Sequence, residues 1–346
     1  MIAERVWTRL RISAPAPEHT AILTRAVAPL LRAYDRAYFV PDPDDASISV
    51  YISTQADEDM QALRAGLLGA LAAGAEVQLA SAERTTIHHA QMTGTTAQEL
   101  VEDFLCDASP LVLDLLEKSR GEASLRAALA FEMMAIQPLT MQQHLFVRMR
   151  KLQFPCTFIS YRSHVDGFMI ATKDPAATWQ VFDDRYQRSS ASMRTLVDAL
   201  RLQVQAQGPV VSTAGAEWKR ILDKYVGRVL QGLEFGGLMV ASDPEEAGQH
   251  LGDRYDLSVS PFHQAVYKDR PLRDAVPTDQ EFNAMRIMAS LLYLTLHLMG
   301  IRLIERYLLL YAVCRCYEEI FSVSAAEAIT QFSHLLVGGA ATAERQ

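Results

Sequence analysis

Two stretches of this 346-residue chain concentrate side chains that can donate, accept and pass protons. The first is FISYRSHVDG, residues 158–167, where Ser160, Tyr161, Arg162, Ser163, His164 and Asp166 follow two apolar residues almost without a break. The second is EFNAMRIMASLLYLTLHLMG, residues 281–300, where Asn283, Arg286, Ser290, Tyr293 and His297 recur at steps of three and four. At 100° per residue these five share one helix face roughly 80° wide. A tyrosine hydroxyl donates and accepts while neutral, and histidine titrates in the range a general acid or base needs.

The stripe has to be received by something polar. Its neighbours Met285, Ile287, Met288, Leu291, Leu292, Leu294 and Leu296 make the rest of the helix apolar, so the polar stripe is the narrow one. A helix of this kind is buried, and unpartnered polar groups inside a protein cost several kcal/mol. Either a water-filled cavity or a hydrogen-bond network, with Glu305 or Glu318 as partners, satisfies it. FISYRSH offers a second wall if 156–161 is a strand, with Ser160 and Arg162 on one face and Tyr161 and Ser163 on the other. The alternative there is a strand end and turn, with His164 merely exposed.

The elements that would carry these groups form an α+β pattern. RVWTRLRI (5–12), RAYFV (36–40), SISVYIS (47–53) and AEVQLAS (75–81) read as strands, with helices near 18–36 and 57–72 between them. That order, βαββαβ, is the ferredoxin-like unit. From about 97 the pattern is helical, near 97–106, 110–118, 121–136, 140–150, 190–206, 214–233, 279–298, 303–321 and 324–336. DASP (107–110) reads as an N-cap followed by proline at the first helical position. The stretch 152–185, with TWQVF at 178–182, reads as a short strand-rich insertion. The expectation is one α+β body over 1–346, with a ferredoxin-like peptide-binding portion (1–85) packed on a mainly helical catalytic portion (95–340).

Composition narrows the class. The hydrophobic share of 49% and charged share of 21% are those of a globular protein. A net charge of −8 argues against a general nucleic-acid binder. The charge is uneven, with six arginines against three acidic residues in 1–36, then six acidic and no basic residues in 37–60. Cys106, Cys156, Cys314 and Cys316 show no metal or disulfide spacing, and His88 and His89 are adjacent, so no metal site is expected. The N-terminus lacks the apolar run of a signal peptide and no stretch is long enough to span a bilayer, so a cytoplasmic protein is expected. No phosphate loop, HExxH, GxSxG or organic-cofactor signature is present, and side-chain chemistry without a cofactor is the expectation.

Four segments, in order, carry a family resemblance: FLCDASPLVLDLLE, FISYRSHVDGF, NAMRIMASLLYLTLHLMGI and IERYLLLYAVCRCYEEI. Together they resemble the C-terminal, glutamate-eliminating domain of lantibiotic dehydratases. More closely, they resemble that domain's stand-alone relatives, the pyridine synthases of thiopeptide biosynthesis of the GE2270 type, over most of the chain. The resemblance implies a ribosomally made precursor peptide as substrate and partner, carrying a leader, azoles and two dehydroalanines. It implies a formal [4+2] addition between the dehydroalanines, loss of water and expulsion of the leader, which closes a macrocycle around a trisubstituted pyridine. No cofactor, metal, nucleic acid or membrane is implied.

Under that resemblance Tyr293, with Ser290 beside it, donates to the iminol or departing hydroxyl, and His164 is the base of the aromatising elimination. Arg286, Asn283, Ser160, Tyr161, Arg162, His263 and His297 bind substrate. Arg5, Arg9, Arg11, Arg25 and Arg32 lie where the leader is bound. Two departures from the eliminating relatives stand out. Those carry arginines in the strand that here reads SISVYIS, and an Asn-Arg pair after the histidine that here precedes Gln264, Ala265 and Val266. Glutamate elimination, with Arg162 and Arg286 as substitute cations, and a non-catalytic precursor-binding partner are the competing readings.

Overall fold

The computed structural model describes residues 7–42, 47–53, 67–69, 71, 76–80, 92–145, 151–208, 210, 212–240, 260–269, 272 and 279–343. The fold is α+β, mainly helical with one antiparallel sheet. The chain divides into two compact units. One comprises Met1–His88, Gln98–Arg126 and Tyr293–Ile301, the other His89–Ala97, Ala127–Leu292 and Arg302–Gln346.

The first unit holds the sheet, ordered β2-β3-β1-β4. Its strands are β1 (Trp7–Ser13), β2 (Ala37–Pro41), β3 (Ser47–Ser53) and β4 (Glu76–Ala80). Alternation in β1 and β3 sends Leu10, Ile12, Ile48, Val50 and Ile52 to one face, where all are fully buried. Between β1 and β2 run α1 (His19–Ile22), a π-helical turn (Leu23–Val27) and α2 (Ala28–Arg32). The helix expected near 57–72 lies mostly outside the described residues. β2 is an edge strand, and its Phe39 N–H is taken by Ser109 Oγ at 3.3 Å. Ser109 belongs to α3 (Ala97–Ser119), and an Arg36–Asp103 ion pair ties the same helix to the start of β2.

The DASP signal is not an N-cap. α3 runs unbroken through Pro110, so the two helices expected at 97–106 and 110–118 are one. Likewise α4 (Ala123–Leu145) runs through Pro138 and joins the helices expected at 121–136 and 140–150, of which 146–150 lie outside the described residues. Proline costs a helix interior about 3 kcal/mol. Burial outweighs that here, since Phe104, Leu105, Ala108, Val112, Met133, Met134 and Met141 are all fully buried.

The strand-rich insertion at 152–185 is also corrected. FISYRSHVDGFMI is α5 (Phe158–Ile170), and TWQVF lies inside α6 (Pro175–Gln187). Phe158, Tyr161, Val165 and Met169 recur at steps of three and four, a helical period, and all are buried. Asp174 caps α6 by accepting from Ala177 N at 3.0 Å, with Pro175 at the first position.

The second unit continues with α7 (Ser190–Gln205), α8 (Thr213–Glu234), α9 (Pro261–Lys268), the part of α10 (Gln280–Leu298) up to Leu292, α11 (Leu303–Phe321) and α12 (Ala325–Ala343), while the end of α10 from Tyr293 belongs to the first unit. α5 packs on α11, where Phe158 stacks on Tyr317 at 5.8 Å. Tyr317 donates to Ala135 O at 2.5 Å, so α11 is anchored to α4 as well. α10 ends where Gly300 takes φ +70°, a left-handed conformation glycine adopts without steric cost.

Candidate functional site

Of residues 283–298 on α10, all are buried except Arg286, Tyr293 and His297. Those three belong to the five-residue stripe, so the polar face is where this apolar helix opens. Arg286 and Tyr293 are half-buried and His297 is exposed. Asn283 and Ser290 are buried, at 8% and 7% exposure. Ser290 Oγ donates to Arg286 O at 3.0 Å, the local back-bond by which a serine inside a helix satisfies its hydroxyl.

Because FISYRSH is helical, its polar residues are distributed by the helical turn rather than by strand alternation. Arg162 and Asp166 meet one turn apart, Nε donating to Oδ1 at 2.5 Å. Arg162 also donates from Nη1 to Glu318 Oε1 at 2.9 Å and lies 5.1 Å over the Trp179 ring. Asp166 is fully buried, and its second oxygen accepts from Ser260 Oγ at 2.6 Å. Ser260 caps α9 by accepting from His263 N at 3.1 Å, and its oxygen lies 3.1 Å from His263 Nδ1. Nε2 of that ring lies 3.5 Å from Ser163 Oγ. An unbroken chain thus runs from Arg162 through Asp166, Ser260 and His263 to Ser163.

His164 is a neighbour of this chain. Burial first, then the positive charges of Arg306 and Arg286, and then His263, push its imidazole down to about 4. Burial also pulls His263 below its ordinary value, opposed by the Asp166 carboxylate. For Arg286, burial alone lowers the guanidinium. Glu318 is raised by burial, against the pull of Arg162 and Arg315. His164 is therefore a neutral ring beside two cations, able to donate to a carbonyl oxygen through one nitrogen and accept from an N–H through the other.

The structure thus gathers Arg162, His164, His263 and Arg286. Ser160 and Tyr161 are buried on α5 at 8% and 1% exposure. Arg162 is ion-paired to two carboxylates, Asp166 and Glu318. Tyr293 and His297 fall in the other compact unit, on the continuation of α10. Among the expected leader contacts, Arg5 lies outside the described residues and Arg25 is exposed. Arg32 pairs with Asp114 at 3.2 Å. Arg9 and Arg11 reach Asp42 at 3.4 and 3.0 Å, and Ser49 and Ser47 of β3 bond the same carboxylate.

Sequence reasoning missed Ser260, Arg306 and the true partners of Asp166, and it named Glu318 as a partner for the α10 stripe, where the structure pairs it with Arg162. A Ser-Pro cap followed by His263 was a readable signal for Ser260. Two cavities, of about 430 and 630 Å³, are lined by none of these residues and share Gln143 and Gln207.

A family model described as "Lantibiotic biosynthesis dehydratase C-term" matches residues 7–317. The chain belongs to the lantibiotic dehydratase C-terminal family. The family fold is shared with a solved structure described as "Crystal structure of TsrL", at a TM-score of 0.77 and 23% identity, over 94% of this chain and 98% of that one. It is shared too with "Pyridine synthase, TbtD, from thiomuracin biosynthesis", at 0.65 and 17% identity, over 92% of this chain and 100% of that one. The tRNA-dependent lantibiotic dehydratase MibB from Microbispora sp. 107891 matches at 0.45 and 20% identity, over 93% of this chain and 29% of that one. No curated protein matches. Among the described residues of this family member, no helix is long and apolar enough to cross a membrane.

Proposed function

We propose that this protein is a pyridine synthase, closing a thiopeptide macrocycle on a precursor peptide that carries a leader, azoles and two dehydroalanines. The observation that carries the reading is the opening of α10 along its polar stripe, at Arg286, Tyr293 and His297, in a member of this family. Two carbon–carbon bonds form when one dehydroalanine and its amide, as the iminol, add to the second alkene. Water then leaves from the former carbonyl carbon. The leader leaves as a carboxamide with the nitrogen of the second dehydroalanine, and these two eliminations make the ring aromatic with no net oxidation or reduction.

Each residue has a stated part in this reading. Tyr293 donates to the iminol or departing hydroxyl, Arg286 and Asn283 orient peptide carbonyls, and neutral His164 lies against the reacting amide. Holding the two ends of a flexible peptide together supplies about 7–11 kcal/mol of the barrier in well-oriented cases. The sheet, read here as a ferredoxin-like unit, holds the leader along an exposed edge. Equal affinity for full-length and leader-less peptides would remove that role.

Glutamate elimination is disfavoured by where the cations go. β3 carries no arginine, Arg9 and Arg11 beside it are tied to Asp42, and Arg162 is tied to Asp166 and Glu318. Among the described residues these three arginines are each already paired with a carboxylate, which weakens the support each could give a departing glutamate. Incubation with a precursor bearing azoles and dehydroalanines, followed by intact mass measurement, separates the readings. Cyclisation releases a leader amide, elimination releases glutamate, and binding alone changes no mass.

A further inference from the structure

The Asp166–Ser260–His263–Ser163 chain determines where one proton sits. A hydroxyl has one proton and two lone pairs, and an ionised carboxylate only accepts. Asp166 is held by the Arg162 guanidinium at 2.5 Å, so its carboxylate is the acceptor in the 2.6 Å contact with Ser260. The Ser260 proton is thereby spent. Its oxygen already accepts from His263 N at 3.1 Å, and the remaining contact, 3.1 Å to Nδ1, requires a proton on the ring nitrogen. Which nitrogen of a histidine is protonated is set by the bond the other one makes. His263 is then the Nδ1–H tautomer, and its Nε2 lone pair faces Ser163 Oγ at 3.5 Å.

We infer that Asp166 and Ser260 are positioning residues that lock His263 in this tautomer, so that His263 and the Ser163 hydroxyl form a proton-accepting relay into the site. Ser163 passes its proton to Nε2 while its oxygen takes one from the substrate. The imidazolium formed keeps both N–H bonds, one of them to Ser260 beside the Asp166 charge. Under the proposed function, on which this catalytic use rests, the proton removed during aromatisation travels this way and is returned to the departing leader nitrogen. Ser163 and His263 thus take the base role that the resemblance implied for His164, whose protonation is opposed by burial and by the charges of Arg306 and Arg286.

The chain also makes the tautomer answer to the charge at position 166. In Asp166→Asn, Arg162 claims the amide oxygen and the amide NH₂ turns to Ser260. Ser260 must then donate to Nδ1, and the proton moves to Nε2. The test is ¹⁵N NMR of the full chain labelled at histidine nitrogen, with the His263 signals assigned by their loss in His263→Gln. Wild type should show a protonated Nδ1 and an unprotonated Nε2, and Asp166→Asn should reverse them. Ser260→Ala, which removes the acceptor, should leave a mixture and serves if Asp166→Asn does not fold. Ser163→Ala should keep the wild-type tautomer and slow turnover at least about tenfold. A protonated Nε2 in wild type, or one tautomer across all variants, would overturn the inference. A correct tautomer with no cyclisation by wild type would overturn only the functional reading, and full turnover by Ser163→Ala only the relay.

Discussion

Arg162 and Asp166 stand one turn apart on α5, and the guanidinium that neutralises Asp166 also holds Glu318 from α11. One cation thus compensates two carboxylates, of which Asp166 is fully buried. Arg162→Met leaves both without that partner. Breaking a buried pair from one side costs ~3–5 kcal/mol, and chemical denaturation should show a loss of that size. Asp166→Asn added to Arg162→Met should recover part of it. A loss below about 1 kcal/mol would mean the pair behaves like an exposed one.

Arg286 should separate stability from activity. Burial disfavours its charge, so Arg286→Gln relieves a desolvation cost and should leave the midpoint of unfolding unchanged or raised. Turnover should nonetheless fall, by about 10²-fold if the cation acts on charge developing in the transition state. Equal losses of stability and turnover would make it an ordinary packing residue.

His164 gives the fold a pH dependence of definite sign. Its folded value of about 4 lies below the ordinary 6.5, so between those values the unfolded chain binds the extra proton. Stability from His164 is complete above about 6.5 and drains away as pH falls toward 4. His263, also lowered, acts in the same direction. Thermal unfolding of His164→Gln should therefore vary less with pH across that window than wild type. Identical slopes would show that the ring is as solvated folded as unfolded.

Tyr293→Phe removes one hydroxyl and keeps the ring volume, so folding should persist. A proton donor in the transition state is typically worth about 10²- to 10⁴-fold. Cyclisation should drop by at least about tenfold, a floor on that range, with peptide affinity nearly unchanged. Wild-type turnover in a folded Tyr293→Phe protein would leave the stripe as an internal network.

The α10 stripe was legible because nineteen helical residues are long enough for a 3.6 period to show. The four strands were legible from alternation, most clearly in SISVYIS. FISYRS misled because six residues fit either period, and only its packing on Tyr317 and Tyr161's burial decide for a helix. Once the helix is known, Arg162 and Asp166 are an ordinary i, i+4 pair. Ser260 was harder to find, because its partner Asp166 lies 94 residues away and local patterns do not report such contacts. Pro110 read as a helix start, and the helix was divided around Pro138, because the burial that carries a helix through a proline is tertiary.

The most direct test of the central claim is the mass of the leader fragment released from a precursor bearing azoles and two dehydroalanines. Cyclisation with expulsion of the leader predicts a fragment ending in a carboxamide, together with a pyridine-bearing core product lighter than the precursor by that leader carboxamide and one water, which is one water and one ammonia below the free linear core. A fragment ending in a carboxylic acid would mean hydrolysis. An intact, unchanged precursor, or release of glutamate from a glutamylated one, would contradict the account.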